Sequence, residues 1–343
     1  MSILEKALSH SKKIGIDECE IVTVEKKTTT VRITDSEIVE IKQNFDKKYG
    51  IRIIHQKKIV SIQTTDSQNI EKDIDNIFET ISNFKPREFW KGLPYKVSAR
   101  KIEGTFDDRL EEISGKNSMD IAQSMINSAD NEKINTITGS LNIVSEDFQL
   151  RNSQGLEFND KATYVSGIIN AESEQGNIPV SGIGHASGRT LSNFSKEQIG
   201  EDAKIMCIES INPQKIESDT YPIIFEPYSV GELLAFVVAS NFNFKTFTEK
   251  KSCFSNKLKE EIGIKEFNLI DDPYAPEGIG TKSVDDEGVE TQKKYLVEKG
   301  VFKNTFSNLF DSYKEGEQST GNASRPGSPM GRSSEPIPVS SPH

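Results

Sequence analysis

Histidine and cysteine are scarce in this chain, and the few present stand apart. The four histidines, His10, His55, His185 and His343, include no pair one helical turn apart, and none lies beside a cysteine. Three cysteines, Cys19, Cys207 and Cys253, form no Cys-x-x-Cys pair. That spacing speaks against a disulfide framework and against a cysteine zinc site, and reduced thiols in a cytoplasm are expected. Positive charge is also short: 42 Lys and Arg against 53 Asp and Glu leave a formal charge of −11. Such a balance opposes affinity for a phosphate backbone, so no nucleic-acid partner is expected. No apolar stretch approaches the length that spans a bilayer, and the first residues lead into an amphipathic pattern without the apolar core of a secretory signal. The expectation is a cytoplasmic protein with no membrane partner. A Gly-x-Ser-x-Gly elbow and a Walker loop are both missing, which leaves serine-nucleophile and nucleotide-hydrolysing chemistry without support.

What is there is a soluble composition, 34% hydrophobic and 28% charged, with clear periodic segments. Ser2 and Glu5 have capping-box spacing and open a helix to about residue 13, with Leu4, Ala7 and Leu8 on one face. Five β-branched runs follow, at residues 21–24, 30–33, 38–41, 51–54 and 59–62, separated by charged or turn residues in the manner of an antiparallel meander. Ile70, Ile74, Ile77, Phe78 and Ile81 then share one helical stripe that would cover a face of that sheet. Pro86 and Pro94 break the pattern. Around them Arg87, Phe89, Trp90, Lys91, Tyr95 and Lys96 interleave charge with aromatics, a mixture able to bind single-stranded nucleic acid. The acidic balance favours Trp90 as a docking anchor instead.

The order then repeats. A helix carrying Ala122, Met125, Ile126 and Ala129 leads to strands near residues 137–144, 148–151 and 162–171 and to a glycine-rich stretch around His185. The glycine spacing there is wrong for a dinucleotide loop and reads as flexible strand or bulge. Ser195 and Gln198 give a second capping box to a helix with Ile199, Ala203, Met206 and Cys207. The fold class expected is α+β: antiparallel meanders flanked by helices, repeated in the manner of a duplication, then a mainly β C-terminal domain. The units expected are a helix–meander–helix subdomain at residues 1–84, a linker at 85–104, a second α/β subdomain at 105–217, a C-terminal domain at 218–318 and a tail at 319–343. That tail holds seven Ser, five Pro and three Gly in 25 residues, so it is expected to be extended and to bury little.

Tyr221-Pro222-Ile223-Ile224-Phe225 reads as a strand, and Ser229 with Glu232 as a third capping box. Leu233, Leu234, Phe236, Val237 and Val238 make the following helix apolar nearly all round, as a buried core element would be. Four short motifs succeed it: Ile270-Asp271-Asp272-Pro273, Asp285-Asp286-Glu287-Gly288, Leu296-Val297-Glu298-Lys299-Gly300-Val301 and Ser319-Thr320-Gly321-Asn322. The acidic clusters could hold a hard cation such as calcium or magnesium, but turns before Pro273 and at Gly288 explain the same residues and are preferred.

Together these motifs resemble the TldD/PmbA family, described as modulators of DNA gyrase and as peptide-processing metalloproteases. Members of one kind carry a metal-binding His-Glu-x-x-x-His helix; members of the other do not. In this register Ala235 and Ser240 stand at the ligand positions and Phe236 at the general-base position. The resemblance is thus to the PmbA-type (TldE-type) member. It implies no catalytic or metal-binding residue and no cofactor in this chain, with zinc in a TldD-type partner and an unfolded peptide as substrate. Asp285, Asp286, Glu287 and Gly288, with Ser319, Thr320, Gly321 and Asn322, are the candidates for binding substrate or partner. It also implies further strands that complete the C-terminal domain, before which the present sequence stops. Two alternatives stand beside this reading: a self-sufficient metallopeptidase with unrecognised ligands, and a protease-independent modulator that binds gyrase or toxin–antitoxin components.

Overall fold

The computed structural model describes residues 2–328 and 330–343. Its core is a six-stranded antiparallel sheet in the order β3-β2-β1-β4-β5-β6. The strands are β1 (Glu18–Thr34), β2 (Glu37–His55), β3 (Lys58–Thr64), β4 (Thr136–Asn152), β5 (Glu157–Ser173) and β6 (Val180–Gly188). The two helix–meander–helix patterns are therefore halves of one sheet, joined where β1 pairs with β4 over 14 residues from Glu20 to Ile33.

The five short runs expected in the first half are three strands, two of them very long. Residues 25–29 and 42–48 look like breaks because they are charged or threonine-rich. They stay extended because β1 is hydrogen-bonded on both sides, to β2 and to β4, and a paired strand leaves its alternate side chains free to be polar. The two hairpins turn through Asp35-Ser36 and Gln56-Lys57, all four residues at positive φ, without the Asn-Gly or Asp-Gly signal that sequence reading looks for.

Side-chain alternation divides the sheet cleanly. On one face Ile21, Ile51 and Ile53 meet α1 (Ile3–Lys13) and α2 (Ile70–Thr80) through Leu4, Ala7, Ile70, Ile74 and Ile77. The same face continues through Val31, Ile33, Leu141, Ile143, Val165 and Ile169 to α4 (Gly115–Ala129) and α5 (Lys196–Glu209), after a single turn, α3 (Asp108–Glu111). The Ser2–Glu5 capping box is formed in full. Ser195 caps nothing with its side chain, and Ser229 lies inside its helix, not before it. That helix, α6 (Pro227–Leu233), starts at Pro227, whose missing N–H costs nothing at the first position.

The glycine-rich stretch is the paired edge strand β6, and its glycines serve close packing. A Cβ on Gly184 would stand 1.9 Å from the Ile199 carbonyl oxygen of α5, and one on Gly182 would stand 2.2 Å from the Cys207 nitrogen.

The other face of the sheet is covered by the C-terminal segment. After α6 come a π turn (Leu234–Val238), a 3₁₀ turn (Ala239–Phe242), α7 (Phe244–Thr248), a small sheet of β7 (Leu269–Asp271), β8 (Lys294–Glu298) and β9 (Val301–Phe302), α8 (Leu309–Lys314), and the pair β10 (Ala323–Ser324) and β11 (Val339–Ser340). Residues 221–225 form no strand among the described residues, and Ile224 is 96% exposed. The apolar helix expected in the core is likewise outside it, with Phe236 81% exposed, because no neighbouring layer lies over it.

The β6–α5 contact leaves no room for even one methyl group. Gly184→Ala should destabilise the fold by about 1–3 kcal/mol in urea denaturation, whereas Gly115→Ala, with nothing within 4 Å of its Cβ position, should change stability little.

Candidate functional site

Where the C-terminal segment crosses the sheet, the interface is made of charge. Glu20 on β1, Arg52 on β2 and Glu146 on β4 lie on the face away from the helices and are all buried. Arg52 joins Glu20 at 2.9 Å and Glu287 at 2.7 Å. Arg325 reaches the other oxygen of Glu20, and its backbone N–H donates to Asp286 Oδ2 at 2.8 Å. Arg332 pairs with Asp286 at 2.8 Å and with Asp160 of β5 at 2.9 Å, and its N–H donates to Glu146 at 2.9 Å. Its guanidinium also lies over Phe148, 4.5 Å from the ring centre.

Asp285, Asp286 and Glu287 are thus fully buried and consumed by partners. Asp285 Oδ1 accepts the N–H groups of Glu287 and Val289, both at 2.9 Å, and Oδ2 accepts that of Ala323 at 3.0 Å. This is an Asx turn that closes on Gly288 at φ +87°, in keeping with the turn reading. Burial and the Glu287 carboxylate push Asp285 up to about 7. Burial alone would raise Asp286 as well, but Lys282, Arg332 and Arg325 outweigh it and hold that carboxyl down at about 2. Glu146 is raised by burial, against the pull of Lys26 and Arg332, and accepts the Tyr164 hydroxyl at 3.1 Å.

The other motifs converge beside this cluster. Asp271 pairs with Lys294 at 2.7 Å and accepts the Asn322 amide at 2.7 Å, while Asn322 Oδ1 accepts from Lys294 at 2.6 Å. Thr320 Oγ1 accepts the Ser307 N–H at 2.7 Å, and Ser319 Oγ accepts the Gly321 N–H at 3.2 Å. A Cβ on Gly321, at φ +70°, would meet the Glu290 carbonyl oxygen at 2.2 Å. Asp272 separates from Asp271, capping Tyr274 at 3.1 Å and pairing with Lys293 at 2.6 Å. Lys299 and Gly300, both at positive φ, make the hairpin turn from β8 to β9. Among the described residues no group of three His, Cys, Asp or Glu could hold a metal ion.

The tail departs most from expectation. It is extended, yet Arg325, Arg332 and Ser334 are each 2% exposed, because its polar and charged groups find partners where apolar ones are few. Between residues 326–328 and 330–335 and the sheet remains a cavity of about 500 Å³, lined by Lys26, Thr28, Asp46, Lys48, Asn142 and Ser166 among others. Lys26 bridges floor and rim, donating to the Met330 carbonyl at 2.8 Å and pairing with Glu146 at 3.2 Å. Trp90 is buried as an anchor, its indole N–H donating to Glu18 at 3.3 Å and its ring 5.5 Å from Tyr313. Ala235, Phe236 and Ser240 sit on the exposed turns after α6. The His185 ring lies 4.2 Å from that of Tyr228, tilted by 54°, and His10 pairs with Asp75 at 2.7 Å.

Two family models match the chain. One, described as the PmbA/TldA metallopeptidase C-terminal domain, covers residues 218–340, and the other, domain 1 of the same family, covers residues 19–83. The chain belongs to the PmbA/TldD family. An uncharacterised protein of Methanocaldococcus jannaschii is 25% identical to it over 325 residues, 94% of this chain and 74% of that protein. A metalloprotease PmbA homolog of Buchnera aphidicola is 23% identical over 316 residues, 87% of this chain and 68% of that protein. TldE from Thermococcus kodakarensis has the same fold, with a TM-score of 0.88 at 22% identity over 96% of this chain and 75% of its own.

In this PmbA/TldD chain the residues that sequence reading missed are the motif's partners: Glu20, Arg52, Glu146, Asp160, Arg325 and Arg332. One signal was available. Glu20 and Arg52 interrupt the β-branched runs Cys19-Glu20-Ile21-Val22 and Ile51-Arg52-Ile53-Ile54, and a charge inside a run buried on both faces needs a buried counter-charge.

Asp286→Asn should cost about 3–5 kcal/mol near neutral pH, because Arg332 and Lys282 lose their shared counter-charge. The folded carboxyl lies below its ordinary 3.8, so its contribution is complete above that value and fades as pH falls through about 2. Urea titrations across that range should show wild type and variant separated above pH 4 and converging towards pH 2.

Proposed function

We propose that this chain is a non-catalytic, PmbA-type subunit that pairs with a zinc-bearing TldD-type metalloprotease subunit and helps to present unfolded peptides for cleavage. The observation that carries this reading is the character of residues 227–240. At the positions where metal-binding relatives are expected to hold two ligands and a base stand a methyl, a hydroxyl and a phenyl group. Neither Ala235 nor Phe236 can donate a lone pair to a metal or accept a proton from water, so this helix offers nothing that activates water for amide hydrolysis. The end of α6 and the turn after it leave Leu233, Phe236 and Val237 exposed, and Ile223 and Ile224, shortly before them in the sequence, are exposed too. Large apolar side chains left in solvent suit a second polypeptide better than water.

Within that reading the buried Asp285, Asp286, Glu287 and Asn322 act at one remove. They fix the C-terminal segment over the sheet and so shape the cavity under residues 326–328 and 330–335, whose mixed charge and hydroxyl lining suits the polar backbone of an extended peptide.

Co-expression with a TldD-type protein from the same organism should give a complex in size-exclusion chromatography. Phe236→Asp should weaken it at least tenfold while leaving the circular dichroism of the free chain unchanged. Metal analysis of the chain alone should find no stoichiometric zinc. Stoichiometric zinc, with chelator-sensitive peptide cleavage by this chain alone, would overturn the proposal in favour of a self-sufficient metallopeptidase. Recovery of a gyrase or antitoxin complex without any protease subunit would overturn it in favour of a modulator.

A further inference from the structure

The outer edge of β2 is half empty. β3 pairs with it only from Tyr49 to His55, so beyond Thr64 the β2 edge faces solvent. At the far end the β1–β2 register shifts: Arg32 opposes Glu40 but Ile33 opposes Ile38, which leaves Val39 as a bulge. Between β3 and the bulge lie nine regular residues, from Glu40 to Lys48, every one of them exposed. An open edge of that length, unbroken by proline, is a site where another strand can add.

The side chains on this edge say which strand. Glu40, Lys42, Asn44, Asp46 and Lys48 share the face away from the helices, as their partners Arg32, Thr30, Thr28, Lys26 and Val24 do. Their charges run minus, plus, neutral, minus, plus. Laid antiparallel on itself about Asn44, that sequence sets each Glu40 opposite Lys48 and each Lys42 opposite Asp46. The centre of the charge pattern is also the centre of the open window. Among the described residues Lys42, Asp46 and Lys48 have no ion-pair partner, and Glu40 reaches only Arg32, at 4.0 Å. On the opposite face Phe45, 73% exposed, would meet Gln43 of the other copy and stand diagonal to its own counterpart.

We propose that a second copy of this chain adds to the β2 edge, antiparallel and in register about Asn44, to make one twelve-stranded sheet across a two-fold axis. Odd shifts of register would put polar and apolar faces on opposite sides, and the next even shifts pair Glu40 with Asp46 or Lys42 with Lys48. The self-pairing is isologous, so each favourable pair occurs twice. It uses the end of the molecule that bears the β1–β2 hairpin and is independent of the reading given to residues 227–240.

Sedimentation of the full chain over 1–100 µM, a range chosen around the affinity of about 10⁻⁶ M typical of small interfaces, should show a dimer. Lys42→Glu and Asp46→Lys, each turning two attractive pairs into two repulsive ones, should each weaken it about tenfold or more. Combined, they exchange the charges and should restore it. Asn44→Cys in a Cys253→Ser background should form an intermolecular disulfide, since each residue 44 faces its own copy. A monomer throughout the range, a dimer indifferent to both single changes, or a double variant no better than the singles would overturn the proposal. So would association that occurs only with a different polypeptide.

Discussion

Five buried carboxylates, Glu20, Glu146, Asp285, Asp286 and Glu287, face the three buried guanidinium groups of Arg52, Arg325 and Arg332, and the relation of sheet to C-terminal segment depends on that matching. An isolated charge in such a place would cost several kcal/mol. Here nearly every lone pair and N–H has a partner, and the partners come from four strands, the acidic turn and the tail. Apolar contact between the layers is modest by comparison: Val22, Val24, Phe148, Leu150, Leu156 and Phe158 against Val284, with a second patch around Trp90 and Leu309. Hydrophobic burial is tolerant of small displacements, whereas a short, charge-assisted hydrogen bond is not. The network therefore sets the register of the C-terminal segment on the sheet.

That register has a functional side. The acidic motif, which as a sequence invites a metal or a peptide, is turned inward and, on the reading proposed above, acts through the shape it imposes. The surfaces proposed above for other molecules are the polar cavity beneath the tail, the apolar turns after α6 and the bare edge of β2. The cavity and the β2 edge share Asp46 and Lys48, the apolar turns lie apart in the sequence, and none includes the buried carboxylates. The division suits a protein whose chemistry, on the reading proposed above, is performed by another subunit.

The elements most legible in the sequence are those whose periodicity is local: the Ser2-capped helix, the isoleucine stripe of α2, and the apolar face of α4. The strands were seen but cut too short, because residues 25–29 and 42–48 carry the charge and threonine usually found in loops, and what holds them extended is pairing with β4 and β1, which lie far off or opposite. The buried tail was misread for a related reason. Its serines, prolines and glycines bury little apolar area, but Arg325 and Arg332 sit among them, and their counter-charges on β1, β4 and β5 cannot be inferred from neighbouring residues. The helix at residues 233–238 failed in the opposite sense, since an apolar pattern tells which face seeks cover and not whether cover is at hand.

Arg325 and Glu20 are separated by 305 positions along the polypeptide. Glu20 meets Arg52 early but emerges from a ribosome long before its second cation exists, and Glu146, already within reach of Lys26, likewise precedes Arg332. Until residues 323–335 arrive, these acids and Arg52 must stay hydrated, which keeps water on one side of the nascent sheet and leaves its helix side alone free to consolidate. Maturation is thereby ordered in time: helices dock first, and the opposite side closes in one late, long-range step whose loop closure is slow.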